Sequence, residues 1–251
     1  MENKLIKQDT TDFIIKNHPD IKGLQYVNDK VNFPISWLNQ QGYCEYTLYL
    51  EYLKGIKTAP TKAMTTGTKE HNKLEAKFKE TATPSTFDDA FKESKEKEIL
   101  SREMFVIDPN EGIRGFIDEI WMTPDEIIII DDKPGSRAYA STMNQVRAYC
   151  LAFKNMIGDD SRIIRGALRE RGTDNIFWSE VFDEKVEENI LFLIHRMHGL
   201  LDGTRPFIPT KNQNKCRACR YKSYCEHRAD IWLKRVIFYF FMNLIKNSII
   251  F

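Results

Sequence analysis

Residues 112–149 read GIRGFIDEIWMTPDEIIIIDDKPGSRAYASTMNQVRAY, and this stretch decides the fold. Two strand-like runs, Gly115–Met122 and Glu126–Lys133, flank the turn signal Thr123-Pro124-Asp125. A helix is predicted from about Arg137 to Lys154. The four isoleucines Ile127–Ile130 are β-branched and leave the second run no polar face, so it reads as a buried strand. It ends in Asp131-Asp132-Lys133, where alternation sends Asp131 and Lys133 to one face and Asp132 to the other. If the two runs pair as a hairpin, Asp118 meets Asp131 across the strands. Such a pair of carboxylates with a lysine beside them is an oxygen-ligand site for a hard divalent cation.

Phosphodiester hydrolysis needs this set of groups. Two carboxylates hold Mg²⁺ or Mn²⁺, which polarises the phosphoryl group and activates water. The ammonium of Lys133 stabilises charge developing on the phosphorane oxygens, or helps place the water. On the helix, Gln145 and Tyr149 are spaced i, i+4 and share a face. Met143, Val146, Cys150 and Phe153 form the neighbouring apolar stripe that seats the helix on the sheet.

Gly115-x-x-Asp118, Asp131-x-Lys133 and Gln145-x-x-x-Tyr149, in this order, resemble successive motifs of the PD-(D/E)XK nucleases, in their RecB-like branch. Each motif alone is common, and their ordered combination is far rarer than its parts. The resemblance implies an α/β fold with a restriction-endonuclease-like core, a central mixed sheet flanked by helices.

The whole chain suits that size of core. It has 251 residues, 42% hydrophobic and 29% charged, which describes a soluble globular protein. A net charge of +1 gives no bulk basic field, so any nucleic acid must be gripped locally. Five cysteines without a secretory signal argue against a disulfide scaffold, and the expected location is the cytoplasm. Residues 1–32 are polar with short apolar touches, and read as a peripheral helix or an N-terminal arm. From Phe33 the chain tightens, with a helix start at Pro34–Leu38 capped by Ser36. Residues 76–102 read as charged, exposed helix and loop, and Glu103–Asp108 as the first core strand. After the Gln145 helix come two further strands, Ser161–Leu168 and Asn175–Phe182, and a helix over 183–202 closed by Gly203. His195 and His198 lie in that helix at i, i+3 without accompanying carboxylates, and read as surface residues.

Two further motifs carry chemistry. Gly67-x-x-x-His71 opens a helix, and in the resembling family a motif of this form supplies a further metal ligand; Glu75, one turn on, is supporting or merely solvated. Near the C-terminus, Cys216-x2-Cys219-x5-Cys225 has metal spacing. Spacing alone leaves two completions open: a local Cys₃His zinc site with His227, or an iron–sulfur cluster whose fourth thiolate comes from afar. RecB-like nucleases with a cluster place one cysteine before the G-x-x-x-H motif, where Cys44 stands. The resemblance therefore implies a 4Fe–4S cluster on Cys44, Cys216, Cys219 and Cys225, in a subdomain formed by the N- and C-terminal regions. Cys150 is left to pack in the core.

The likeness is nearest to CRISPR-associated RecB-like exonucleases and exonuclease V proteins, and covers about Phe33 to His227, with Lys62–Gly67 shared by both groups. It implies a nuclease domain over 33–228 and a metal-dependent DNA exonuclease acting at single-stranded ends, in CRISPR adaptation or DNA repair, with protein partners of such a complex. Position by position it implies metal ligation by His71, Asp118, Asp131 and the main-chain carbonyl of Asp132, with Lys133 as catalytic lysine. Gln145 and Tyr149 position the lysine, the water or the phosphate. The alternative is a non-catalytic DNA-end or partner-binding module on the same fold. The tail 229–251 has no counterpart in the family; its apolar core, Val236–Met242, is far short of the ~20 residues a bilayer span requires. A helix docked on the domain or on a partner is expected there.

Overall fold

The structure, a computed structural model, describes residues 1–230. The tail expected at 229–251 therefore lies outside the described residues from 231 onward. In chain order the elements are β1 (Glu2–Lys7), β2 (Ile15–Asn17), β3 (Gln25–Val27), β4 (Lys30–Pro34), α1 (Ser36–Leu48) with a π-helical turn Tyr49–Leu53, and α2 (Lys62–Thr81). Then follow β5 (Thr83–Thr86), α3 (Phe87–Glu93), β6 (Ile99–Asp108), β7 (Ile113–Met122), β8 (Glu126–Lys133), α4 (Ala140–Ile157), β9 (Ile163–Glu170), β10 (Ile176–Val181), α5 (Glu184–Leu201) and α6 (Gln213–Ala218).

The sheet is mixed. β7 runs antiparallel to β6 and to β8, β8 parallel to β9, and β9 antiparallel to β10. The parallel step from β8 to β9 passes through α4, the crossover helix that a parallel pair requires. Ile127, Ile129 and Ile130 are fully buried, so β8 is covered on both faces, as its apolar run demands. Val146 and Cys150 of α4 press on Gly166 of β9, where an added Cβ would stand 2.7 Å from Val146 Cγ1 and 3.2 Å from Cys150 Sγ. Burial pushes the Cys150 thiol well above its usual range, consistent with a packing role.

The N-terminal segment differs from expectation. Residues 1–32 are strands folded onto the sheet, not a helix or an arm: β1 pairs in parallel with β5 and β6, and β2, β3 and β4 form a meander. Ile6 and Val27 anchor these short strands in the interior, at 6% and 0% exposure. Ser36 is the first residue of α1 and not its cap, because Ile35 takes the flanking position and no side chain caps the helix. β6 starts at Ile99, four residues before the expected strand, since Ile99 and Ser101 are buried beside β7.

β7 is the strand on which the site is built. On one edge it pairs with β6 from Ile113 to Met122, except at Asp118. On the other edge β8 pairs with Glu119–Met122 and β4 with Ile113 and Arg114. Between those two neighbours, residues 115–118 have no strand partner on that edge among the described residues.

On one side of the sheet near the end of β8, four buried charges neutralise one another. Arg102 pairs with Glu119 and, at 2.8 Å, with Asp132; Arg169 pairs with Asp132 at 2.8 Å and Glu119 at 2.5 Å. All four are under 10% exposed. α5 is capped by Asp183, whose carboxylate accepts the Val186 N–H, and Gly203 follows it at φ +80. His198 is bound to the Glu111 carbonyl at 2.8 Å and edges onto Phe33, while His195 is exposed beside Glu111.

Candidate active site

The hairpin register Glu119↔Ile130 carries forward to set Asp118 opposite Asp131. Asp118 Oδ2 accepts the Asp132 backbone N–H at 2.9 Å, which locks the first carboxylate to the strand carrying the second. Burial, and then the charge of Asp131, push the Asp118 carboxyl up to about 7. Asp131 is raised too, by burial, against the pull of Lys133. Lys133 Nζ lies 2.5 Å from Asp131 Oδ2 and donates to Gln145 Oε1 at 3.2 Å. Gln145 Nε2 in turn donates to Asp131 Oδ1 at 3.2 Å. The amide thus faces its oxygen to the ammonium and its N–H to the carboxylate. Asn39 of α1 donates to the same Gln145 oxygen at 3.2 Å and holds that orientation.

Tyr149 lies one turn beyond Gln145 and is 5% exposed. Burial, then Asp131 and Asp118, raise its phenol far above the usual range, so it stays protonated. Its ring covers Gly115, where a Cβ would stand 2.8 Å from Tyr149 Cε1. A glycine at 115 therefore leaves the room that the Tyr149 ring takes beside β7.

His71 of α2 joins the site, and with it comes Glu103, to which the sequence assigns no ligand role. His71 Nε2 is 3.0 Å from Glu103 Oε1, and Glu75 offers a third donor, all within 4.8 Å of one another. The register of β6 on β7, Arg102↔Glu119 and Met104↔Ile117, sets Glu103 opposite Asp118. Glu103 nevertheless forms no ladder pair there and holds φ +53, a left-handed conformation that costs about 1 kcal/mol or more for a glutamate. Glu103, Asp118 and Asp131 thus occupy successive positions across three adjacent strands. Nothing local in the sequence separates Glu103 from the other charges of its segment; only the register does. The hydrogen bond that His71 donates to the Glu103 carboxylate raises the His71 pKa.

The donors fit a hard divalent cation. His71, Glu75 and Glu103 bring one imidazole nitrogen and two carboxylate oxygens within 4.8 Å of one another, a donor set that such a cation takes. Asp132 turns its side chain away into the Arg102–Arg169 quartet, and its main-chain carbonyl accepts from Arg171 Nη2 at 2.8 Å. Arg171, from the turn after β9, also reaches the Gly67 carbonyl of α2 at 3.3 Å, tying the His71 helix to β8.

Away from this site the four expected cysteines line one cavity, together with Tyr43, Tyr46 and His227. α1 breaks from helical geometry at Cys44, and α6 and the following turn carry Cys216, Cys219 and Cys225. Backbone N–H groups of Thr210, Tyr221 and Ala229 donate to Cys44, Cys219 and Cys216 at 3.3–3.4 Å. His227 packs edgewise on Tyr46, ring centroids 4.6 Å apart.

The profile of the PD-(D/E)XK nuclease superfamily matches residues 75–226, more than half of the sequence. The chain belongs to the PD-(D/E)XK nuclease superfamily. Its matched span contains β6 to α6 and so holds Glu103, Asp118, Asp131, Lys133, Gln145 and Tyr149. Among solved structures, the chain is similar to the crystal structure of a "Putative exonuclease" from Eubacterium rectale, at 12% identity over 74% of this chain and 87% of that one, TM-score 0.44. It is also similar to SSO0001, at 13% identity over 78% and 87%, TM-score 0.36. No curated protein matches the chain. No helix among the described residues is long and apolar enough to cross a membrane.

Burying Asp118, and setting it beside Asp131, links the stability of this PD-(D/E)XK chain to pH. Native Asp118 keeps its proton up to about pH 7, whereas the unfolded residue loses it near 3.8. Between those values the native state binds more protons, so stability falls as pH rises through the window. Asp118→Asn is therefore expected to stabilise the metal-free protein by on the order of 2 kcal/mol at pH 8, and by less at pH 5. Thermal midpoints in EDTA at the two pH values check this; an equal gap at both would remove the titration as its cause.

Proposed function

We propose that this protein is a metal-dependent DNA exonuclease acting at single-stranded ends, in CRISPR adaptation or DNA repair. The observation that carries the chemistry is the row Glu103, Asp118, Asp131 across β6, β7 and β8, with His71 above it and Lys133 locked beside it. The end preference rests on the sequence resemblance. Mn²⁺ or Mg²⁺ would be held by Asp118, Asp131, His71 and Glu103, and would supply positive charge against the phosphoryl oxygens and activate water.

The chain's own groups do the rest. Lys133, aimed by Gln145, places its ammonium against the charge that builds on the phosphoryl group during displacement. Gln145 spans the carboxylate and the lysine, so the two hold their separation when a negatively charged substrate enters. Tyr149 remains a neutral hydroxyl donor, because burial, and then the charges of Asp131 and Asp118, oppose its ionisation. Arg171 adds a further cation near the site and is held by the carbonyls of Asp132 and Gly67.

A 4Fe–4S cluster on Cys44, Cys216, Cys219 and Cys225 is part of this proposal, as a structural staple between α1 and the C-terminal segment. The three backbone N–H donors suit the sulfurs of a cluster. Anaerobically purified protein is expected to carry about four iron per chain, and Cys216→Ser to lose them; one zinc and no iron would sink the cluster and leave the active site untouched. The function itself is tested with end-labelled single-stranded DNA in Mn²⁺, Mg²⁺ or EDTA. Metal-dependent shortening of the labelled strand is expected, whereas binding without cleavage would make the chain a DNA-end binding module.

A further inference from the structure

Beside the carboxylate row, in the gap where β7 lacks a partner, lies a pocket of about 310 Å³ lined by Pro34, Ile35, Phe105, Arg114, Phe116 and Tyr149, among others. Phe116 is 54% exposed, although it sits in a central strand of the sheet. It pairs in register with Phe105 of β6, the ring centroids 5.1 Å apart. The core does not account for the exposed ring of Phe116.

We propose that Phe116, backed by Phe105, is a stacking platform for the nucleobase next to the scissile phosphate of an unpaired strand; this rests on the nuclease function above. Three observations point to that occupant. First, the pocket is continuous with the candidate site: Tyr149 lines it and feels the charges of Asp131 and Asp118. Second, the span fits. Phe116 precedes Asp118 by two residues, roughly 7 Å along a strand, about the reach from a backbone phosphate to its own base. Third, the lining is wrong for a phosphate. Its cation, Arg114, is already committed to the Asn32 carbonyl, the Asn32 side chain at 2.9 Å and the Gly23 carbonyl. What the pocket offers is a flat apolar surface, and every base has a face to lay on it. A base inside a duplex is stacked on its neighbours and has no free face for Phe116. The platform therefore selects unpaired strands without reading their sequence.

The test measures binding in EDTA, where hydrolysis is suppressed. Full-length protein is titrated with a labelled oligothymidylate and with a strand of equal length that is abasic throughout. Wild type is expected to bind the thymidylate about tenfold more tightly than the abasic strand. Phe116→Ala is expected to remove that advantage and leave abasic binding unchanged, and Phe116→Trp to restore it. Thermal unfolding of each variant confirms an intact fold. Equal binding of both strands by wild type overturns the platform, as does a Phe116→Ala loss of equal size on both strands, which would mark a structural defect or a protein-binding face. If wild type still degrades DNA with metal in either case, the nuclease function stands and the platform alone falls. If wild type neither binds nor degrades any strand, both fall.

Discussion

Lys133→Ala is expected to lower the cleavage rate by about 10³-fold while leaving DNA binding nearly unchanged. The ammonium is held 2.5 Å from Asp131 and 3.2 Å from Gln145, so it enters the reaction already oriented. Charge on the non-bridging oxygens grows during displacement, and a fixed cation therefore stabilises the transition state more than bound DNA. Lys133→Arg is expected to rescue little, because a planar guanidinium does not fit a position shaped around one nitrogen between a carboxylate and an amide. Single-turnover rates at saturating DNA, with metal titrated over a wide range, check the effect. A loss that high metal concentration recovers would show that Lys133 only tunes metal affinity, and an unchanged rate would remove it from the chemistry.

Arg169→Met is expected to be the most damaging single change to the fold, at about 3–5 kcal/mol, or roughly a 10 °C fall in melting temperature. Asp132 is 1% exposed and Glu119 4% exposed, and each relies on Arg169 together with Arg102. Burial alone would raise the Asp132 carboxyl; the hydrogen bonds from Arg169 and Arg102 outweigh it and hold the group below its ordinary range. Removing Arg169 leaves two buried carboxylates against one arginine. A carboxyl held low contributes stability above its unfolded pKa and loses it as pH falls, so the difference between variant and wild type should narrow in acid. Thermal unfolding at pH 7 and pH 4 tests both statements. A loss below about 1 kcal/mol at pH 7 would mean that water enters and solvates the quartet. The quartet also matters to the site, because Asp132 is anchored on the strand between Asp131 and Lys133.

Much of this was legible in the chain because strand geometry is local. The alternation of residues 131–133 determined that Asp131 and Lys133 act together and that Asp132 turns away, and the structure has both. The run of isoleucines determined a buried strand, and the turn at 123–125 made it the second arm of a hairpin, which brings Asp118 to Asp131. Helical spacing put Gln145 and Tyr149 on the face that meets the strand ends. Even the cysteines show their metal spacing from the letters alone.

The remainder depended on which elements come together in space. Residues 1–32 look polar and loose because strands of three to six residues carry few apolar side chains, and only pairing with β5, β6 and β7 makes them part of the sheet. Glu103 is one charge in a charged segment until the β6–β7 register sets it opposite Asp118 and its positive φ turns it toward His71. Asn39 and Arg171 reach the site from α1 and from the turn after β9, 106 residues before Gln145 and 39 residues after Asp132. By itself the sequence determined the hairpin, its two facing carboxylates, the lysine and the helix that aims it, since each follows from a period of two or of 3.6 within one segment. Tertiary structure alone decided the third carboxylate, the arginines that neutralise the Asp132 side and the aromatic pocket in the gap of β7, because register and packing between distant segments leave no periodic trace in any one of them.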